Sequence, residues 1–109
     1  MPSNGTQPHW DAATRELVWD GVLIKKFCVP ASNQETILAV FEEEGWPEIV
    51  ADPLPVVPGL DPKQRLHNAI RNLNRNQRRR LLKFGGDRTG ERIRWSYACP
   101  LPLIGIADS

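Results

Sequence analysis

The most chemically distinctive part of the sequence is a run of basic and amide side chains in its second half. Between Lys63 and Arg94 there are 11 lysines and arginines against Asp87 and Glu91, a local charge of +9 (11 − 2). Arginine forms bidentate hydrogen bonds with phosphate and with guanine edges, and asparagine and glutamine form them with adenine. These residue types predict contact with a polyanion, and with nucleic acid in particular.

A helix predicted to run from Pro62 to about Arg79 presents many of these side chains on one face. Asp61 suits the N-cap, and Pro62 suits the first helical position. The apolar stripe expected to be buried consists of Leu66, Ala69, Ile70 and Leu73. The opposite face carries Gln64, Asn68, Arg71, Asn72, Arg75 and Arg79, without a carboxylate among them. Such a face suits a DNA major groove.

A C-terminal hairpin is predicted to extend this positive surface. Strands are expected over residues 81–84 and 92–97, joined by a glycine-rich tip over residues 85–90. In the second strand Ile93, Trp95 and Tyr97 alternate with basic residues and are expected to point inward. The complete predicted nucleic-acid-binding set is Gln64, Asn68, Arg71, Asn72, Arg75, Arg78, Arg79, Lys83, Arg88 and Arg92.

The elements before this helix are predicted to form its support. Asp20-Gly21 between two β-prone runs predicts a tight N-terminal hairpin. Ser32 followed by Glu35 suggests a capping box at the start of a first helix over residues 33–44. The proline-rich residues 46–60 predict a loop with a short strand at Ile49-Val50. The fold class expected is α+β, with an N-terminal β-hairpin, two main helices and a C-terminal β-hairpin.

This order of elements resembles the winged helix-turn-helix DNA-binding domains, particularly the output domains of response regulators. The resemblance covers about residues 16–97. It implies that residues 64–79 form a recognition helix, that residues 81–97 form the wing, and that the protein acts in transcription regulation. A family member normally has another helix before its recognition helix, whereas here that place holds the proline-rich residues 47–60. Residues 33–47, with Asp52-Pro53-Leu54, also resemble small planctomycete proteins, which implies no activity.

Length and composition favour one globular domain. The 109 residues are 40% hydrophobic and 25% charged, with a net charge of +1. Residues 1–60 carry −6 (3 − 9) and residues 61–109 carry +7 (11 − 4), a charge asymmetry that also fits two halves neutralising each other. We expect a flexible segment over 1–14, one winged-helix-like domain over 15–97 and a tail over 98–109. No signal peptide or membrane span is visible, so a cytoplasmic setting is expected.

The sequence predicts neither an enzyme nor a cofactor or metal site, and no small-molecule substrate is evident. The histidines, His9 and His67, stand apart, and Cys28 is expected to be a small buried group. Glu42-Glu43-Glu44 is expected to be a solvated helix end without tuned pKa values. The partner expected is DNA, with RNA as a variant. The alternative is a protein-interaction adaptor without nucleic-acid binding, which docks through that acidic end or through the apolar tail at 101–106.

Overall fold

Two helices and two three-stranded antiparallel sheets make up the fold in a computed structural model that describes residues 7–98. This confirms the predicted α+β class and the predicted order of both hairpins and both helices. The elements are β1 (His9–Asp11), β2 (Glu16–Trp19), β3 (Val22–Lys26), α1 (Ser32–Glu44), β4 (Ile49–Ala51), α2 (Pro62–Asn74), β5 (Leu82–Gly86) and β6 (Arg92–Tyr97).

The N-terminal sheet has the order β1-β2-β3. Asp20 and Gly21 turn between β2 and β3 with φ values of +52° and +76°, which confirms the predicted two-residue turn. Strand β1 was not predicted, because it is three residues long and lies within the polar segment expected to be flexible. It pairs with β2 through Trp10 and Leu17, and both side chains are buried.

Helix α1 begins at Ser32, and Gly45 ends it in the left-handed conformation. The prediction of Ser32 as N-cap is wrong, because Ala31 occupies that position and makes no side-chain cap. Glu35 does not reach back to the N–H of Ser32 as the predicted capping box requires; its Oε2 accepts the N–H of Ala31, the observed N-cap, at 3.0 Å. The guanidinium of Arg15 holds the same carboxylate in place at 2.6 Å and 3.0 Å.

Helix α2 begins as predicted but ends five residues early. Oδ1 of Asp61 accepts the N–H of Lys63 at 3.0 Å, which confirms the N-cap. The helix stops at Asn74 because Arg75 is extended and Asn76 has a φ of +56°. Residues 75–80 therefore form a loop, named here the Arg loop, and the prediction that Arg75 and Arg79 lie on the helix is wrong.

The C-terminal sheet has the order β4-β6-β5, with β4 at the predicted short strand. Strand β5 runs to Gly86, so it includes two glycines that were predicted to lie in the loop. The described chain contains no helix between α1 and α2; the proline-rich segment supplies β4 and a loop. Within residues 7–98, neither helix has the length and apolar character needed to cross a membrane.

The core lies where both helices meet the sheets, and it contains the apolar stripe predicted for α2. Ile93 is fully buried as expected, whereas Trp95 is half-buried and Tyr97 is 42% exposed. The ring of Trp46 is buried and stacks on Phe41 at a centroid distance of 5.1 Å. The helical side of this core consists of Ile37, Leu38, Phe41, Leu66, Ala69, Ile70 and Leu73.

Candidate nucleic-acid interface

The outward face of α2 presents the polar side chains that the sequence placed there. Gln64, Asn68, Arg71 and Asn72 are all exposed. The amide of Gln64 donates to Oδ1 of Asn68 at 3.0 Å, so these two side chains form a connected pair on the surface. With 13 residues, α2 is about 20 Å long, which is enough to lie along a major groove.

The Arg loop continues this positive surface beyond the end of α2. Its arginines, Arg75, Arg78, Arg79 and Arg80, are all exposed. None of the ion pairs within residues 7–98 includes one of them or Arg71. Soluble proteins usually place charges of both signs on one surface, since opposite charges three or four residues apart stabilise a helix. Five neighbouring arginines without acidic partners therefore favour an anionic ligand.

A buried lysine from the N-terminal sheet holds the start of the Arg loop. Nζ of Lys25 donates to the carbonyl oxygens of Asn72 at 2.6 Å and Arg75 at 2.9 Å, and lies 3.5 Å from that of Leu73. A cation here neutralises the negative end of the helix dipole and satisfies carbonyls that the helix leaves unpaired. Burial lowers the pKa of Lys25 to about 8. Sequence reasoning missed this residue because Lys25-Lys26 is an ordinary strand end.

Backbone and amide hydrogen bonds fix the rest of the Arg loop. The N–H of Arg78 donates to the carbonyl of Ile24 at 2.7 Å. The side chain of Gln77 is buried and its Nε2 donates to the carbonyls of Leu73 and Leu82 at 3.2 Å and 3.0 Å. The loop backbone is thus ordered while its arginine side chains stay in solvent. Binding an anion would cost little backbone entropy here.

Two side-chain amides occupy the free edge of β5. Asn74 donates to the carbonyl of Phe84 at 2.9 Å and accepts the N–H of Phe84 at 2.8 Å. Gln77 bonds Leu82, two residues earlier on the same edge. These amides take the place of a neighbouring strand, and such protection opposes edge-to-edge association.

The hairpin residues of the predicted site lie on more than one surface. Arg88 is exposed in the turn between β5 and β6. Lys83 and Arg92 belong to the sheet face that points away from α2, whereas Phe84 points toward α2 and is buried. A Cβ on Gly85 would lie 3.8 Å from Cγ of Arg94, which places Arg94 on that outer face too. The structure therefore separates Lys83 and Arg92 from the face formed by α2.

The acidic end of α1 is not uniformly solvated, which corrects the expectation from sequence. Glu42 accepts hydrogen bonds from the N–H of Trp10, the indole of Trp46 and the imidazole of His9 at 2.8–2.9 Å. Burial alone would raise the pKa of Glu42, but these hydrogen bonds together hold the pKa below its ordinary value. Glu43 and Glu44 are exposed, so this end offers an acidic partner surface smaller than predicted.

The described residues form no metal centre, since no group of three His, Cys, Asp or Glu within them is arranged to hold an ion. Cys28 is exposed, so its predicted burial is wrong. It lies two residues past the end of β3, next to the buried Phe27. Cys99 and the apolar tail at 101–106 lie outside the described residues.

Comparison with known proteins gives no relative. No protein-family model, curated protein or solved structure matches the chain. The winged-helix resemblance therefore stays a prediction.

Proposed function

We propose that this protein binds nucleic acid, with duplex DNA as its ligand, through phosphate contacts from the Arg loop and the outward face of α2. The observation that carries this proposal is the set of exposed arginines without an acidic partner in the described chain, Arg71, Arg75, Arg78, Arg79 and Arg80. Phosphate contacts of this kind supply most of the affinity of nonspecific DNA binding through release of counterions.

The hydrogen bonds of the Arg loop support the proposal. A mobile tail of arginines would lose conformational freedom on binding, whereas this loop is already fixed by Lys25 and Gln77. Its guanidinium groups remain free to form bidentate bonds with phosphate oxygens. The affinity should therefore depend on Lys25 as well as on the arginines.

The amide side chains on α2 are the candidates for reading bases. Gln64, Asn68 and Asn72 stand on the same helix as Arg71 and are exposed. When arginines fix the helix against the backbone, amides on the adjacent turn reach base edges. Arg88 in the hairpin turn adds a phosphate contact beside the helix. Lys83 and Arg92 face away, and the proposed interface does not need them.

Fluorescence anisotropy with a labelled duplex of random sequence tests the proposal. We expect saturable binding with a Kd of about 1–100 μM near physiological salt, typical of nonspecific contacts. Unlabelled duplex DNA should displace the probe more efficiently than single-stranded DNA or duplex RNA. No anisotropy change at low salt would overturn the proposal, and preferential displacement by RNA would change its ligand.

A further inference from the structure

A groove between α2 and the C-terminal hairpin is separate from the Arg loop. It has a volume of about 350 Å³. One wall is a row of basic side chains at four-residue spacing on α2: Lys63, His67 and Arg71. All three are exposed, and no ion pair within residues 7–98 includes Lys63 or His67. Neither Lys63 nor His67 belongs to the set predicted from sequence.

The opposite wall is backbone with little side-chain cover. It consists of Gly85, Gly86 and the turn that ends at Gly90, and Leu66 and Ile70 line the groove between the walls. A Cβ on Gly86 would lie 3.7 Å from Cδ1 of Ile70, so the strand passes close beneath the helix. Glycine at such a position often marks close approach of a ligand to the backbone.

The edge of β5 is left open at this groove. Antiparallel pairing directs the backbone groups of alternate residues to the same edge, so Gly86 presents its N–H and C=O on the side where Phe84 meets Asn74. Asn74 hydrogen-bonds the backbone of Phe84, and Gln77 hydrogen-bonds the backbone of Leu82. Gly86 is the next residue whose backbone groups point to this edge. A backbone N–H, two cations, Lys63 and Arg71, and the imidazole of His67 thus face one cavity.

The acidic side chain in the groove is engaged by its own turn. Oδ1 of Asp87 accepts the hydroxyl of Thr89 at 2.6 Å and the N–H of Thr89 at 3.0 Å. Its Oδ2 lies 3.9 Å from Nε of Arg92. These contacts engage both oxygens of the Asp87 carboxylate, and the groove still has two cations, Lys63 and Arg71, against this one carboxylate.

We propose that this groove binds phosphate groups through Lys63, His67, Arg71 and the backbone of Gly86. The source that we assign is a phosphodiester of bound nucleic acid, and that assignment rests on the proposed function. A free phosphorylated molecule shares the same chemistry, so the experiment must separate the two sources.

Proton NMR of the full chain gives a local readout, because the protein has two histidines, His9 and His67. His9 lies on β1 against Glu42 and is an internal control. Samples receive a short DNA duplex, pyrophosphate, or sodium chloride at matched ionic strength and pH. We expect the imidazole signals of His67 to shift saturably with the duplex, and those of His9 to stay in place.

Variants test whether the groove that contains His67 also contributes to the affinity for the DNA duplex. Lys63→Ala should weaken duplex binding by about 3- to 10-fold, the effect of losing one phosphate contact, and Lys63→Arg should restore it. Arg94→Ala, on the outer sheet face, is the matched control and should leave affinity unchanged. Each variant is checked for unchanged thermal unfolding before its affinity is compared.

The possible outcomes separate the two proposals. If the duplex binds but neither it nor pyrophosphate moves the His67 signals, the groove proposal is overturned and the proposed function stands. If pyrophosphate moves them and the duplex does not bind, the groove is a phosphate site for a small molecule and the nucleic-acid function fails. A His67 shift with the duplex, reduced by Lys63→Ala, supports both.

Discussion

The ammonium of Lys25 lies 2.6 Å from the carbonyl oxygen of Asn72, and this contact joins the N-terminal sheet to the last turn of α2. The next residue toward the N-terminus, Ile24, accepts the N–H of Arg78. Strand β3 therefore sets both where α2 ends and where the Arg loop begins. In this fold the N-terminal sheet is a support for the proposed binding surface.

Replacing Lys25 with methionine should destabilise the fold and weaken DNA binding together. The carbonyls of Asn72 and Arg75 would lose their buried donor, at a cost of about 1–3 kcal/mol in the free energy of unfolding. Loss of order in the Arg loop should also lower DNA affinity under conditions where the variant remains folded. Urea unfolding and anisotropy with the same preparation measure the two effects.

The control for this variant is Lys26→Met. Lys26 is the exposed neighbour, and its ammonium lies 3.2 Å from Glu16. A surface substitution of this kind should change stability by less than about 0.5 kcal/mol. Equal effects of Lys25→Met and Lys26→Met would contradict the assigned role of Lys25.

Replacing Asn74 with alanine should open the edge of β5. The N–H and the C=O of Phe84 would both lose their hydrogen-bond partner, which should lower the free energy of unfolding by about 1–3 kcal/mol. The exposed edge should also promote self-association. Size-exclusion chromatography with light scattering should show concentration-dependent dimers for Asn74→Ala, and none for the surface control Asn68→Ala. A fully stable monomer would disprove the edge-protection account.

The contribution of Glu42 to the stability of the fold should be lost in acid. Its pKa is lowered in the folded state, so the carboxylate stabilises the fold above its ordinary pKa, and this stabilisation is lost as the pH falls through the lowered value. Glu42→Gln should lower the free energy of unfolding by about 1 kcal/mol at neutral pH, and by progressively less below pH of about 4. Thermal unfolding across this range is the measurement, with exposed Glu43→Gln as the control. A pH-independent loss for Glu42→Gln would contradict the assignment.

Local sequence signals predicted most of the elements correctly. The turn at Asp20-Gly21, the cap at Asp61 and the apolar stripe of α2 each depend on neighbouring residues, and each appears in the structure. The hairpin strand over residues 92–97 also appears at its predicted bounds. In all these cases the conformation follows from the residue and its close neighbours along the chain.

The errors have long-range causes. Helix α2 ends at Asn74, and in its last turn the carbonyl of Asn72 accepts a hydrogen bond from Lys25, 47 residues before Asn72. Strand β1 forms because the side chain of Trp10 packs against Phe27 in the core, and because Glu42 accepts the backbone N–H of Trp10. The separation of Lys83 from the α2 face depends on sheet register. A short stretch of neighbouring residues does not contain both partners of these contacts, so the local sequence did not reveal them.

The salt dependence of DNA binding tests the role of the Arg loop, measured for the native protein and for a variant with Arg75, Arg78, Arg79 and Arg80 all changed to serine. A control triple variant changes Lys83, Arg92 and Arg94, on the outer sheet face, to serine. About six to seven phosphate contacts, from the five arginines with Arg88 and Lys63, predict a slope of log K against log salt of roughly −5 to −6 for the native protein. The Arg-loop variant loses four of these contacts, so we expect its slope to be less steep by about 3 to 4. The control should keep an almost native slope. A native slope in the Arg-loop variant would contradict the account.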